Sequence, residues 1–126
     1  MIDPPLVDGS KWVVRYYEKT EAVFKDANTY YPIPPITIPI IFSNGNIVVY
    51  PYNPAASSYW WLGAKMTANI TIPGVDDSVK FKQQSLRVNT KTLLQLGSNV
   101  SYSLVFEIPW RFNEMTIGIW EYDPNL

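Results

Sequence analysis

Apolar and polar residues alternate with a period of two along most of this chain. From Val100 to Ile108, Val100, Tyr102, Leu104, Phe106 and Ile108 fall on one side, and Ser101, Ser103, Val105 and Glu107 lie between them. Successive side chains of an extended strand point to opposite faces, so this pattern predicts a half-buried strand. Met115, Ile117 and Ile119 alternate in the same way with Thr116, Gly118 and Trp120. Met66, Ala68, Ile70 and Ile72 alternate with Thr67, Asn69 and Thr71, and the run stops at Pro73-Gly74. Val79 and Phe81 sit between Ser78, Lys80 and Lys82. Trp12 to Tyr17 is β-branched and aromatic, as strands prefer. Leu86 to Leu94 reads as one further strand, although Leu93-Leu94 breaks its alternation, and Glu18 to Ala27 fits a short helix or a second strand.

Turn residues divide these runs. Asn44-Gly45 lies between Ile38–Ser43 and Asn46–Tyr50. Both residues tolerate positive φ, so the pair predicts a type I′ turn at the tip of a tight hairpin. Prolines at 32, 34, 35 and 39 on one arm, and at 51 and 54 on the other, must lie at a sheet edge or in extended loop, because proline cannot donate to a ladder. About eight short strands at near-regular spacing predict an all-β fold, an antiparallel sandwich of jelly-roll-like type spanning residues 1–126 as one domain.

Composition narrows the chemistry. The chain has neither cysteine nor histidine. Thiolate metal sites, the usual nitrogen and sulfur zinc sites, and Ser-His-Asp or Cys-His catalysis are therefore excluded. The expectation is a protein with no catalytic residues, metal or cofactor. A net charge of −1 supplies no field for nucleic acid. Lys65, Lys80, Lys82, Arg87 and Lys91 form a basic stretch, and Glu107, Glu114, Glu121 and Asp123 an acidic tail; both read as solvated strand faces. The start, Met1-Ile2-Asp3-Pro4-Pro5, does not have the pattern of a signal peptide, and no apolar run is long enough to span a membrane as a helix.

One segment departs from the rest. Ala27 to Ala64 holds no charged residue, in a chain that is 17% charged, yet it carries six prolines, five tyrosines and Trp60-Trp61. It fits a central hairpin buried by the fold, a hairpin that enters a bilayer through Ile36, Ile38, Ile40 and Phe42, or an interaction surface. The prolines weigh against the core, and Ile41 and Val48 spoil the polar face that a membrane hairpin needs. Uncharged surface rich in tyrosine and tryptophan resembles the desolvated centre of an interface. Tyr30, Tyr31, Ile36, Ile38, Tyr50, Tyr52, Tyr59, Trp60 and Trp61 are thus the candidate contact residues of a homo-oligomer or larger assembly, a coat-, shell- or appendage-type subunit of a particle. Aromatic rings also stack on sugars, so Tyr59, Trp60, Trp61 and Trp120, with Asn53, Asn113, Glu114 and Asp123 nearby, form an alternative carbohydrate site. Asp76-Asp77 reads as a turn rather than a calcium loop. Asn69-Ile70-Thr71 and Asn99-Val100-Ser101 match the glycosylation acceptor pattern but fall within predicted strands.

Overall fold

The computed structural model describes residues 11–21, 23–26, 29–31, 33–53, 64–74, 82–109 and 112–125. They form ten strands: β1 (Trp12–Glu21), β2 (Val23–Asp26), β3 (Thr29–Tyr31), β4 (Ile36–Ile41), β5 (Asn46–Tyr52), β6 (Lys65–Thr71), β7 (Lys82–Arg87), β8 (Thr92–Gln95), β9 (Ser101–Glu107) and β10 (Glu114–Tyr122). The all-β expectation holds. Eight strands make two antiparallel four-stranded sheets, β1-β10-β5-β8 and β4-β9-β6-β7, and β2 and β3 form a separate small ladder. The ambiguous stretch after Glu18 is therefore extended rather than helical.

The pairings nest. β1 pairs with β10, β4 with β9, β5 with β8 and β6 with β7, the first strand of the eight with the last and so inward. Successive rungs fall alternately in the two sheets, and the β10–β5 and β9–β6 ladders close each sheet. The inward-facing residues of both sheets share one core: Ile47, Val49, Met115, Ile117 and Ile119 from the first meet Ile38, Met66, Ala68, Ile70, Leu86, Leu104 and Phe106 from the second. These are the positions that period-two alternation assigned to buried faces in β6, β9 and β10, so the two sheets pack as a sandwich.

Two turn expectations are corrected. Asn44-Gly45 does turn the chain, and Gly45 has φ +86°, but the turn is not a hairpin. β4 pairs with β9 in one sheet while β5 lies between β10 and β8 in the other, so the turn is an arch between sheets. Instead of pairing with each other, β4 and β5 each pair over six residues, with β9 and β10 respectively. Ile38, Ile47 and Val49 are spent in the core between the sheets, which leaves no free hairpin to enter a bilayer. Leu86–Leu94 is likewise two strands, broken where Asn89 takes φ +64°. Pro32 and Pro54 lie outside the described residues, and the described prolines of β4 and β5 follow the rule. Pro39 sits on edge strand β4, and Pro51 lies beyond the stretch of β5, Asn46–Val49, that β8 pairs.

Polar groups fasten the arches. Asn53 is fully buried; its side chain donates to the Glu114 carbonyl, and its backbone N–H and C=O are met by the Asn89 side-chain amide at 2.8 and 2.9 Å. The Asn89 amide thus does for residue 53 what a neighbouring strand would do, satisfying both backbone groups at the strand end.

Candidate functional site

The outward faces of the two sheets differ. On β4-β9-β6-β7 the outward residues include Thr37, Ser103, Val105, Asn69, Thr71, Gln83, Ser85 and Glu107, aligned by register. That is an ordinary solvated surface. On β1-β10-β5-β8, register lines up Val14, Trp120, Val48 and Leu93 as one row across four strands. Tyr17, Gly118 and Tyr50 form the next row, Lys19, Thr116 and Tyr52 the one after, and Trp12 faces Tyr122 at the other end. Of the five large apolar side chains left exposed among the described residues, four are here: Val14 at 44%, Tyr17 at 44%, Tyr52 at 41% and Leu93 at 57%. The middle of the central row is covered, with Val48 at 0% and Trp120 at 3%, so the exposure lies towards the edges of the face.

Side chains on this face pack on one another. A Cβ on Gly118 would stand 2.4 Å from Trp120 Cζ3 and 3.2 Å from Tyr17 Cδ2, so the indole lies across the glycine two residues before it. Tyr17 meets that indole edge-on, with ring centroids 6.2 Å apart. Tyr50 and Tyr52 lean together at 5.9 Å, and the Lys91 ammonium sits 5.5 Å from the Tyr50 ring centre. Besides Lys91, charge gathers at one end, where Lys19 bridges Glu21 at 3.1 Å and Glu114 at 3.0 Å.

The sequence candidates scatter. Tyr50 and Tyr52 belong to this face. Ile38 is a core residue, 5% exposed, and Ile36 packs against the same core from the far sheet, so neither is free to bind a partner. Tyr30 and Tyr31 belong to β3, which pairs with β2 rather than with either large sheet. Tyr59, Trp60 and Trp61 lie outside the described residues. Trp120 is 3% exposed and presents no open ring to a sugar, and the Asn53 amide is consumed inside the fold. Val14, Tyr17 and Leu93 were missed. Each belongs to a different run, and only cross-strand register brings them together. Asn99 is in an exposed turn with φ +57° rather than within a strand.

A second cluster needs the same scrutiny. A surface cavity of about 470 Å³ is lined by Arg15, Ser43, Asn44, Glu121, Asp123 and Asn125, among others. Glu121, read from sequence as a solvated acid, is 4% exposed. Its Oε1 accepts from Arg15, and its Oε2 accepts from the backbone N–H groups of Asn44 at 2.7 Å and Gly45 at 3.0 Å. Burial pushes its carboxyl up, but the N–H groups of Asn44, Gly45 and Ser43 and the Arg15 guanidinium outweigh that and hold it below the ordinary glutamate value. Arg15 also donates to the Ile41 carbonyl at 2.6 Å. Both carboxylate oxygens are occupied by the protein itself, so the cluster latches β1, the arch and β10 together. Among the described residues no group of three acidic, histidine or cysteine side chains is placed to hold a metal ion, and no helix is long and apolar enough to cross a membrane. No protein-family model, curated protein or solved structure matches this chain.

Proposed function

We propose that this chain is a non-catalytic assembly subunit that self-associates through the outward face of its β1-β10-β5-β8 sheet. One observation carries the reading: the exposed large apolar side chains concentrate on that face, while the opposite face of the sandwich is made mainly of serine, threonine, asparagine and glutamine. The nested strand order supports reading the sandwich as a jelly roll, an architecture used in particle shells and in lectins, and that likeness is an analogy of fold rather than evidence of activity. Against the carbohydrate alternative, Val14 and Leu93 are aliphatic and supply neither a stacking ring nor a hydrogen bond.

Light scattering over a concentration series tests this. The parent chain is expected to exceed its monomer mass of 14.4 kDa, and Tyr17→Asp or Leu93→Asp to lower the apparent mass without lowering the melting temperature of the dissociated chain. Asn69→Asp, on the polar face, should change nothing. A parent chain that stays monomeric at high micromolar concentration overturns the proposal.

A further inference from the structure

We infer that the Glu121 latch shields Asn44 from spontaneous deamidation, and that an opened arch exposes Asn44 as a one-way modification site. Asn44-Gly45 is the only place in the chain where glycine follows asparagine. Asparagine is chemically labile, and most so before glycine, where no side chain hinders ring closure. In that reaction the Gly45 nitrogen gives up its proton and attacks the Asn44 side-chain carbonyl carbon. A nitrogen–carbon bond forms, the bond to the side-chain nitrogen breaks, and that nitrogen leaves with the proton as ammonia. Water then opens the five-membered imide on one side or the other, which gives aspartate or isoaspartate.

The fold restrains both atoms that must meet. The Gly45 N–H donates to Glu121 Oε2 at 3.0 Å, so its nitrogen would have to become an anion against a carboxylate. Like charge this close disfavours the ionised form. The target carbon is held as well. Asn44 Nδ2 donates to the Tyr122 carbonyl, and Oδ1 accepts the Asn46 N–H at 2.8 Å, so the amide plane is fixed on both sides. The backbone has little room to turn. The Asn44 N–H donates to the same Glu121 oxygen at 2.7 Å, and the Leu96 N–H donates to the Gly45 carbonyl at 2.8 Å. Gly45 is buried, with the Leu96 carbonyl oxygen 2.0 Å from where its Cβ would stand. Release of the arch from Glu121 frees the nitrogen and lets the ring close. Deamidation then makes the release permanent. An acid at position 44 has no N–H for the Tyr122 carbonyl, which leaves that hydrogen bond unmade. It also adds a negative charge on the residue whose own N–H meets Glu121. Isoaspartate lengthens the main chain by one carbon where the Leu96 backbone leaves no space.

Peptide mapping by mass spectrometry reads the conversion of Asn44 during incubation at mildly alkaline pH, which favours loss of the backbone proton. The folded parent, the parent in guanidinium chloride and folded Glu121→Gln are compared, with circular dichroism to confirm the fold. Conversion at Asn44 is expected to be at least tenfold slower in the folded parent than in the denatured chain. In Glu121→Gln it should be at least threefold faster than in the folded parent. If Glu121→Gln does not fold, Arg15→Gln, which removes the guanidinium bound to Glu121 Oε1, takes its place with the same expectation. A folded parent that converts as fast as the denatured chain overturns the inference. So does a folded latch variant that converts as slowly as the parent. Asn44→Asp, one of the two products, should melt below the parent; an equal melting temperature would overturn the one-way step.

Discussion

Gly45 is the position where the arch between the sheets can be tested most sharply. Its φ of +86° belongs to the left-handed region, and a Cβ built on it would stand 2.0 Å from the Leu96 carbonyl oxygen and 2.7 Å from its carbon. Those are backbone atoms, fixed by the Leu96 N–H donating to the Gly45 carbonyl at 2.8 Å. Gly45→Ala therefore incurs two costs. The left-handed backbone costs about 1–2 kcal/mol, and forcing a methyl into filled space costs about 1–3 kcal/mol more. The sum is about 2–5 kcal/mol. With an unfolding entropy of about 2.1 cal/mol/K per residue over 126 residues, about 0.26 kcal/mol/K in all, the melting temperature should fall by about 8–19 °C. Gly74 provides the control. Its φ is +82° but no atom lies within 4 Å of its would-be Cβ, so Gly74→Ala incurs only the backbone cost. Its melting temperature should fall by about 4–8 °C on the same arithmetic. Both variants should be compared by calorimetry at low protein concentration, because association raises apparent stability. Equal losses for the two variants would refute the close approach of the arch to Leu96.

Two further expectations concern the site and its latch. Gly118→Val should lift the Trp120 indole off the sheet, with a cost on the order of 1–3 kcal/mol from overpacking, a red-shifted tryptophan emission and weaker self-association; unchanged emission would place the indole elsewhere. Glu121 has a folded-state pKa below its ordinary value of 4.5, so its contribution is present at neutral pH and is lost as pH falls from that value through the folded pKa. Glu121→Gln should lower stability at pH 7 by about 1–3 kcal/mol, the cost of a spoiled buried hydrogen-bond set, and flatten the acid limb of the stability curve; an acid limb identical to the parent's would show that the latch does not titrate there.

The period-two pattern by itself determined the class of fold and the inward faces of β6, β9 and β10, because alternation is a local consequence of extended backbone. It also located the tight turn at Gly45 and the edge position of Pro39, since positive φ and a missing N–H are properties of single residues. Pairing was decided elsewhere. Asn44-Gly45 looks the same in sequence whether it joins two neighbours in one sheet or an arch between two, and the outcome depends on β9 and β10, more than fifty residues later in the chain. Glu121 shows the same division. As one acid in an acidic tail it reads as solvated, and only the fold brings Arg15 and the arch N–H groups to it. The candidate face followed that rule too. Tyr50 and Tyr52 were legible as candidate surface aromatics, but Val14, Tyr17 and Leu93 are ordinary strand residues until register sets them beside Trp120. A contact surface on a sheet is a row across strands, and a row across strands is long-range information that no single run of residues contains.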